Sequence, residues 1–256
     1  SLRSWIDEAV NVTVPLFGRF PVDRATLFVV PAKGEDEVVF GKVLSLAGAS
    51  VVLVVGDKMQ EEARHKDWVL VHELFHLGFP TFRGEGRWLG EGLATYYEPI
   101  LRARAGWTTD LEVFRQFARN MPRGQPGNVA TKNGVAIGSK DAKPNVVTGL
   151  GLAQRDDLDA IYWGGALFCL AADVRIREAT HGKKSLDDVL RALVERGADA
   201  TRVWTVRDVV RLADATTGTK VFSEMHDRYA ARGEQIDLAA LLQSLGVSRD
   251  GHDPDD

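Results

Sequence analysis

The segment from Val71 to His76, which reads Val-His-Glu-Leu-Phe-His, constrains this chain more than any other. Its two histidines, His72 and His76, are four residues apart, so on an α-helix they lie on one face, one turn from each other, and both can reach a single ion. The surrounding residues are apolar, which predicts a buried helix. Buried ionisable side chains need partners, and a metal ion supplies one. The sequence therefore predicts a metal site with both histidines as ligands.

Glu73, directly after the first histidine, is the predicted catalytic base. In this motif the glutamate projects toward a water molecule rather than toward the metal, and its carboxylate can take a proton from that water. The bland alternative is a pair of ordinary histidines on a helix face. The short motif should arise by chance in roughly one chain per hundred, so the assignment depends on its apolar context.

The third metal ligand is predicted to be Glu91, near the start of the next apolar helix. A catalytic zinc ion takes three protein ligands and keeps one position open, which predicts one Zn²⁺ in this chain. Glu85 competes for the role, but it lies between two glycines in a predicted turn, and rigid elements hold a ligand better. Thr95 and Glu98, one and two turns beyond Glu91, are predicted hydrogen-bond acceptors for the ligating histidines. For Glu98 the alternative is a solvated helix residue.

Hydrophobic periodicity predicts an α+β fold, with a small mixed sheet and helices followed by a mainly helical remainder. Pro99 is expected to kink or divide the helix that begins near Leu89, because proline removes a hydrogen-bond donor. Residues 121–157 are predicted to be a long loop. The predicted organisation is an α/β lobe over residues 1–105, a helical lobe over 106–248 and a disordered tail over 249–256. The predicted strands are Thr26–Val30, Val38–Leu46 and Ser50–Val55, and the predicted helices are Leu2–Phe17, Trp68–Leu77, Leu111–Asn120, Ala160–Ala179, Leu186–Glu195, Val206–Asp214, Val221–Ala231 and Leu238–Leu245.

Composition excludes several classes of function. The net charge is −4, which gives no broad basic surface and argues against nucleic-acid binding. The single cysteine, Cys169, excludes a disulfide within the monomer. It lies in the apolar run 160–172, which is shorter than the roughly 20 residues needed to cross a bilayer and predicts a buried helix instead. The chain opens on Ser1 without an initiator methionine, as expected of an excised or processed fragment. Such a fragment is compatible with an exported or periplasmic protein, but the sequence does not identify the compartment.

The motif of His72 and His76, followed by Trp-x-x-Glu-Gly with Glu91 as its glutamate and then Thr-Tyr-Tyr, resembles the gluzincin peptidases. The similarity is greatest to the glycyl aminopeptidase family. Three further segments carry it: Arg-Ala-Gly from Arg104, Ile-Tyr-Trp-Gly-Gly-Ala-Leu from Ile161, and Ser-Leu-Asp-Asp-Val-Leu from Ser185. This resemblance implies a thermolysin-like zincin catalytic domain that hydrolyses peptide or protein substrates.

The resemblance also implies a role for Tyr162. In related aminopeptidases a tyrosine of a Tyr-x-Lys-Gly element donates a hydrogen bond to the developing oxyanion, and Tyr162 occupies the matching position, with Gly164 in place of the lysine. Such a donor acts where negative charge develops. The bland alternative is an aromatic core residue at the start of a helix.

Two departures from the family concern substrate recognition. The chain lacks the family's N-terminal β-domain and C-terminal PDZ module, and it lacks a Gly-x-Met-Glu-Asn element, by which related aminopeptidases hold a free amine. Glu35 and Glu37 are weak alternative anchors for that amine, since both fit a charged surface turn. An edge strand, Val38–Leu46 or Ser50–Val55, could instead bind an extended peptide whatever its terminus. The sequence thus predicts an aminopeptidase or an endopeptidase, with a non-catalytic zinc-containing peptide-binding module as the rival from another class.

Overall fold

The computed structural model describes residues 1–45, 48–82, 84–126, 131–132, 135–136 and 150–247. The chain forms a small sheet with helices near its N-terminus, and the rest is mostly helical. The helices are α1 (Leu2–Phe17), α2 (Glu61–Arg64), α3 (Val69–His76), α4 (Arg87–Arg104), α5 (Asp110–Asn120), α6 (Gly165–Ala179), α7 (Leu186–Glu195), α8 (Val206–Thr217), α9 (Val221–Met225) and α10 (Leu238–Ser244). The strands are β1 (Ala25–Ala32), β2 (Val38–Leu44), β3 (Ala49–Gly56), β4 (Thr81–Phe82), β5 (Thr131–Lys132), β6 (Val135–Ala136) and β7 (Val203–Trp204).

The N-terminal sheet has the order β1-β3-β2, with β1 parallel and β2 antiparallel to the central strand. Every second residue of β3 is buried, from Val51 through Leu53 to Val55, as expected of a strand that packs one face on a core. This mixed sheet confirms the predicted α+β class. Of the two strands predicted as possible peptide-binding edges, Val38–Leu46 corresponds to β2 and Ser50–Val55 to β3. Because β2 lies at the edge of the sheet and β3 at its centre, β2 is the one that can offer an edge to a peptide.

Most predicted helices are confirmed within a few residues, and two of them differ from expectation in detail. Pro99 does not divide its helix, since α4 continues from Arg87 to Arg104. Packing explains this continuity, because most side chains of α4 from Trp88 to Leu101 are buried and tertiary contacts stabilise both halves. The predicted helix Ala160–Ala179 begins with a π-helix, Ala160–Gly164, before α6.

A network of buried polar side chains joins α4 to α6 and α7. Tyr96 Oη donates a hydrogen bond to Asp173 Oδ2 at 3.0 Å, and the backbone N–H of Leu186 donates to Asp173 Oδ1 at 2.7 Å. Tyr97 Oη donates to Asp187 Oδ1 at 2.8 Å. Buried polar groups paired in this way fix the relative positions of the helices that carry them.

One cluster of buried hydrophobic residues runs from Trp5 in α1 to Ala230, so the two predicted lobes share a core among the described residues. The tail, residues 249–256, and most of the predicted loop 121–157 lie outside those residues. The described parts of the predicted loop include two 3₁₀ turns, Met121–Gly124 and Leu152–Gln154. No described helix combines the length and apolar character that a membrane crossing requires.

Candidate metal centre

The two histidines of α3 face the same point. His72 is buried and His76 is half-buried, with their ring centroids 4.9 Å apart and their Nε2 atoms 3.2 Å apart. Burial lowers the pKa of His72 and so favours the neutral imidazole, the form that binds metal. The period of the helix alone accounts for this pairing.

Glu91 closes the group from the neighbouring helix. It lies one turn into α4, and its Oε2 is 3.2 Å from Nε2 of His72 and 3.2 Å from Nε2 of His76. Burial raises the pKa of Glu91, but the hydrogen bonds with the two histidines outweigh burial and hold that pKa well below its usual range. The carboxylate is therefore ionised, as a metal ligand must be.

The spacing of the three atoms fits a zinc ion. Ligands at about 2.1 Å from a tetrahedral ion are separated from each other by about 3.4 Å, close to the 3.2 Å observed between these atoms. Two nitrogens and one oxygen are also the donors that zinc accepts in catalytic sites. His72, His76 and Glu91 thus form a three-ligand set suited to zinc.

A close approach between β2 and α3 positions Glu73. An ideal Cβ at Gly41 would lie 2.4 Å from Cγ1 of Val69 and 2.8 Å from Cγ of Glu73, so only glycine allows β2 to come this near. Glu73 is 8% exposed and borders the same cleft as His76 and Glu91. Its carboxylate is thereby held beside the three-ligand set.

Tyr162 lies across the cleft in the π-helix. Its ring centroid is 6.1 Å from that of His72. Burial and the charge of Glu91 raise the pKa of Tyr162, although nearby Arg87 opposes the shift, so the hydroxyl keeps its proton at neutral pH. Directly after the π-helix, the start of α6 approaches α4 through two glycines, because an ideal Cβ at Gly92 would lie 2.5 Å from the backbone of Gly165.

The cleft that these residues border has a volume of about 710 Å³. Its walls are the strand β2 and the segment after it, the turn that contains β4, the start of α4, and Tyr162. The residues that line it are Phe40, Gly41, Lys42, Val43, Leu44, Ser45, Glu73, His76, Phe79, Pro80, Thr81, Phe82, Gly84, Arg87, Gly90, Glu91, Tyr162 and Ala200. Two charged residues of this lining, Lys42 and Arg87, were not identified as site residues from the sequence.

Thr95 and Glu98 do not make the hydrogen bonds to the histidines that the sequence predicted for them. The carboxylate of Glu98 accepts a hydrogen bond from Nε of Arg102, one turn further along α4, and Oγ1 of Thr95 has no hydrogen-bond partner among the described residues. Neither bonds to His72 or His76 in the described part of the chain. Glu98 pairs with Arg102 and not with a histidine because an arginine four residues along the same helix is close enough to satisfy its buried carboxylate.

The three other glutamates considered from the sequence lie outside the candidate metal centre. Glu85 is exposed, and the described group of possible metal ligands consists of His72, His76 and Glu91. Glu35 and Glu37 are exposed and are not among the described residues that line the cleft. The alternative interpretation given above, that these three glutamates lie in turns, therefore accounts for their positions.

Glu98 gives the stability of the fold a pH dependence. Burial raises the pKa of Glu98 from 4.5 to about 7, although Arg102 lowers it. As pH rises across this window, the unfolded chain releases the proton while the folded chain keeps it, so the free energy of unfolding falls. Asp67, whose pKa burial raises from 3.8 to about 6, acts in the same direction.

We therefore expect Glu98→Gln to lose less stability than the unsubstituted protein between about pH 5 and about pH 8. Urea denaturation at a series of pH values measures the free energy of unfolding of both. Glu195→Gln, at an exposed glutamate in the last turn of α7, is the control and should keep the original slope. An unchanged slope in Glu98→Gln would contradict the assignment.

No family model matches this sequence, and no curated protein matches it. Several solved structures are similar in fold. An aminopeptidase N family protein from Idiomarina loihiensis aligns with a TM-score of 0.66 and 16% identity, over 96% of this chain and 45% of that one. A mutant M1 zinc metallopeptidase from Deinococcus radiodurans aligns with a TM-score of 0.54 and 17% identity, over 91% and 45%.

A further structure is a mutant M1 zinc metallopeptidase from Deinococcus radiodurans bound to a Tyr-Ser-Ala substrate, with a TM-score of 0.51 and 18% identity over 89% of this chain. This chain spans less than half the length of each of these proteins. At such identities the likeness establishes a shared fold.

Proposed function

We propose that this chain is a zinc-dependent peptidase of the gluzincin type, with a thermolysin-like catalytic domain. The observation that carries the proposal is the convergence of His72, His76 and Glu91 on one point, with Glu73 and Tyr162 beside it in the same cleft. A purely structural metal site would need neither a buried base nor a tyrosine in the wall of the cleft. The fold shared with zinc metallopeptidases supports the same function.

In the proposed reaction, His72, His76 and Glu91 hold one zinc ion. When bound, zinc supplies Lewis acidity, which activates water as a nucleophile and stabilises negative charge on a carbonyl oxygen. Glu73 accepts the proton from water and passes it to the leaving amine. Tyr162 donates a hydrogen bond to the oxygen on which charge develops, which its protonated hydroxyl allows.

The edge strand β2 supports binding of an extended peptide. It lies at the edge of the N-terminal sheet and lines the cleft along most of its length. A peptide that adds to a sheet edge is held by main-chain hydrogen bonds, so it does not depend on a free N-terminus. We therefore favour an endopeptidase-like mode of binding over recognition of a terminal amine.

Tyr162→Phe tests the proposed reaction. Removing one hydrogen-bond donor from a developing oxyanion costs about 100-fold to 1000-fold in kcat in comparable sites, so we expect a loss of that order with little change in KM. The assay is hydrolysis of an N-acetylated peptide by zinc-loaded protein. Phe79, which also lines the cleft, gives a matched control in Phe79→Leu, which alters the wall without removing a donor. Equal kcat in Tyr162→Phe and the unsubstituted protein would remove Tyr162 from the mechanism.

A further inference from the structure

The proposed reaction uses the negatively charged side chains that line the cleft but not the positively charged ones. Its described carboxylates are Glu73 and Glu91, and the proposed reaction uses both. Its lysine and arginine, Lys42 and Arg87, are exposed and form no ion pair with a described carboxylate. No described acidic group of the cleft thus remains to hold a substrate's ammonium, whereas two cations remain to hold an anion.

Arg87 stands at an unusual place for an arginine. It is the first residue of α4, where the helix dipole favours negative charge, and it lies one turn before Glu91. It lines the same cleft as Tyr162. A guanidinium has five N–H donors, and their planar geometry matches a carboxylate.

Lys42 lies on the opposite wall, in the edge strand β2. Its neighbour Gly41 contacts α3 at Glu73, which fixes this part of the strand beside the proposed metal centre. Lys42 lines the same cleft as Glu73, His76 and Glu91. A peptide added to the edge of β2 would therefore pass Lys42 on its way to Glu73.

We propose that the cleft selects peptides with a carboxylate next to the bond to be cleaved, held by Arg87 and Lys42, instead of peptides held by a free ammonium. The carboxylate can belong to an acidic side chain or to the C-terminus, since both offer the same group. This inference deepens the proposed function and rests on it for the cleavage step. The two cations also predict binding selectivity, which does not require turnover.

The test compares N-acetylated peptides of one sequence with Glu, Gln or Lys at the centre, each as a C-terminal acid or amide. Binding to the unsubstituted protein in the presence of a chelator is measured by fluorescence anisotropy. The Glu amide or the Gln acid should bind about tenfold more tightly than the Gln amide, because charge-assisted hydrogen bonds to arginine and lysine are the strong ones. Preference for the Glu amide assigns the site to a side chain, and preference for the Gln acid assigns it to the C-terminus.

Variants then locate the selectivity. Arg87→Gln and Lys42→Gln should each abolish most of the tenfold preference, whereas Arg3→Gln, which removes a cation from the exposed surface of α1, should keep it. Equal binding of the Glu amide, Gln acid and Gln amide overturns the proposal, as does tightest binding of the Lys peptide. Selective binding without any cleavage by zinc-loaded protein would instead contradict the proposed function and leave the carboxylate site standing.

Discussion

Glu73→Gln is expected to keep its metal and lose nearly all turnover. Glutamine has nearly the same shape as glutamate but cannot accept a proton, so the variant should bind zinc and peptide while kcat falls by about 100-fold to 10,000-fold, the usual contribution of general acid–base catalysis. Metal content by mass spectrometry and hydrolysis of an N-acetylated peptide are the two measurements. The small space between Gly41 and α3 accommodates the isosteric side chain, so the fold should be unchanged.

Glu195→Gln serves as the matched control for this variant. It makes the same chemical change at an exposed position at the end of α7, and it should keep full activity. If Glu73→Gln retained the kcat of the unsubstituted protein, Glu73 would not be the base.

Glu91→Ala is expected to release the metal. It removes one of the three proposed ligands and leaves His72 and His76 without the carboxylate that lies 3.2 Å from each. Loss of a residue that only supports a ligand costs 10-fold to 100-fold in metal affinity, so loss of the ligand itself should cost more than about 100-fold. Competition with a chromogenic chelator measures the affinity for zinc.

Glu85→Ala tests the rival ligand in the same assay. Glu85 is exposed in the turn before α4 and should be replaceable without loss of zinc. A weaker affinity in Glu85→Ala together with an unchanged affinity in Glu91→Ala would reverse the assignment. Urea denaturation of both variants without zinc separates loss of a ligand from loss of the fold.

The sequence predicted the parts of the candidate site that depend on local periodicity. His72 and His76 share a face because the helix repeats every 3.6 residues, and Glu91 was predicted because it lies near the start of the next apolar helix. Glu98 was misplaced because Arg102, on the same helix, satisfies its carboxylate first. Local patterns alone do not rank such competing partners.

Features that depend on distant packing were missed. Lys42 reaches the cleft because Gly41 lets β2 approach α3, a contact between residues about 30 positions apart that no periodicity encodes. The continuity of α4 through Pro99 likewise depends on burial of the whole helix. The π-helix around Tyr162 shifts the register by one residue, which a periodic pattern does not reveal.

The central claim is that peptide hydrolysis by this chain depends on one zinc ion. The most direct measurement removes metal with a chelator, restores zinc in steps, and follows cleavage of an N-acetylated, carboxylate-containing peptide at each step. We predict no cleavage without metal and full cleavage at one zinc ion per chain. Cleavage that persists in metal-free protein, or none with one zinc ion bound, would contradict the claim.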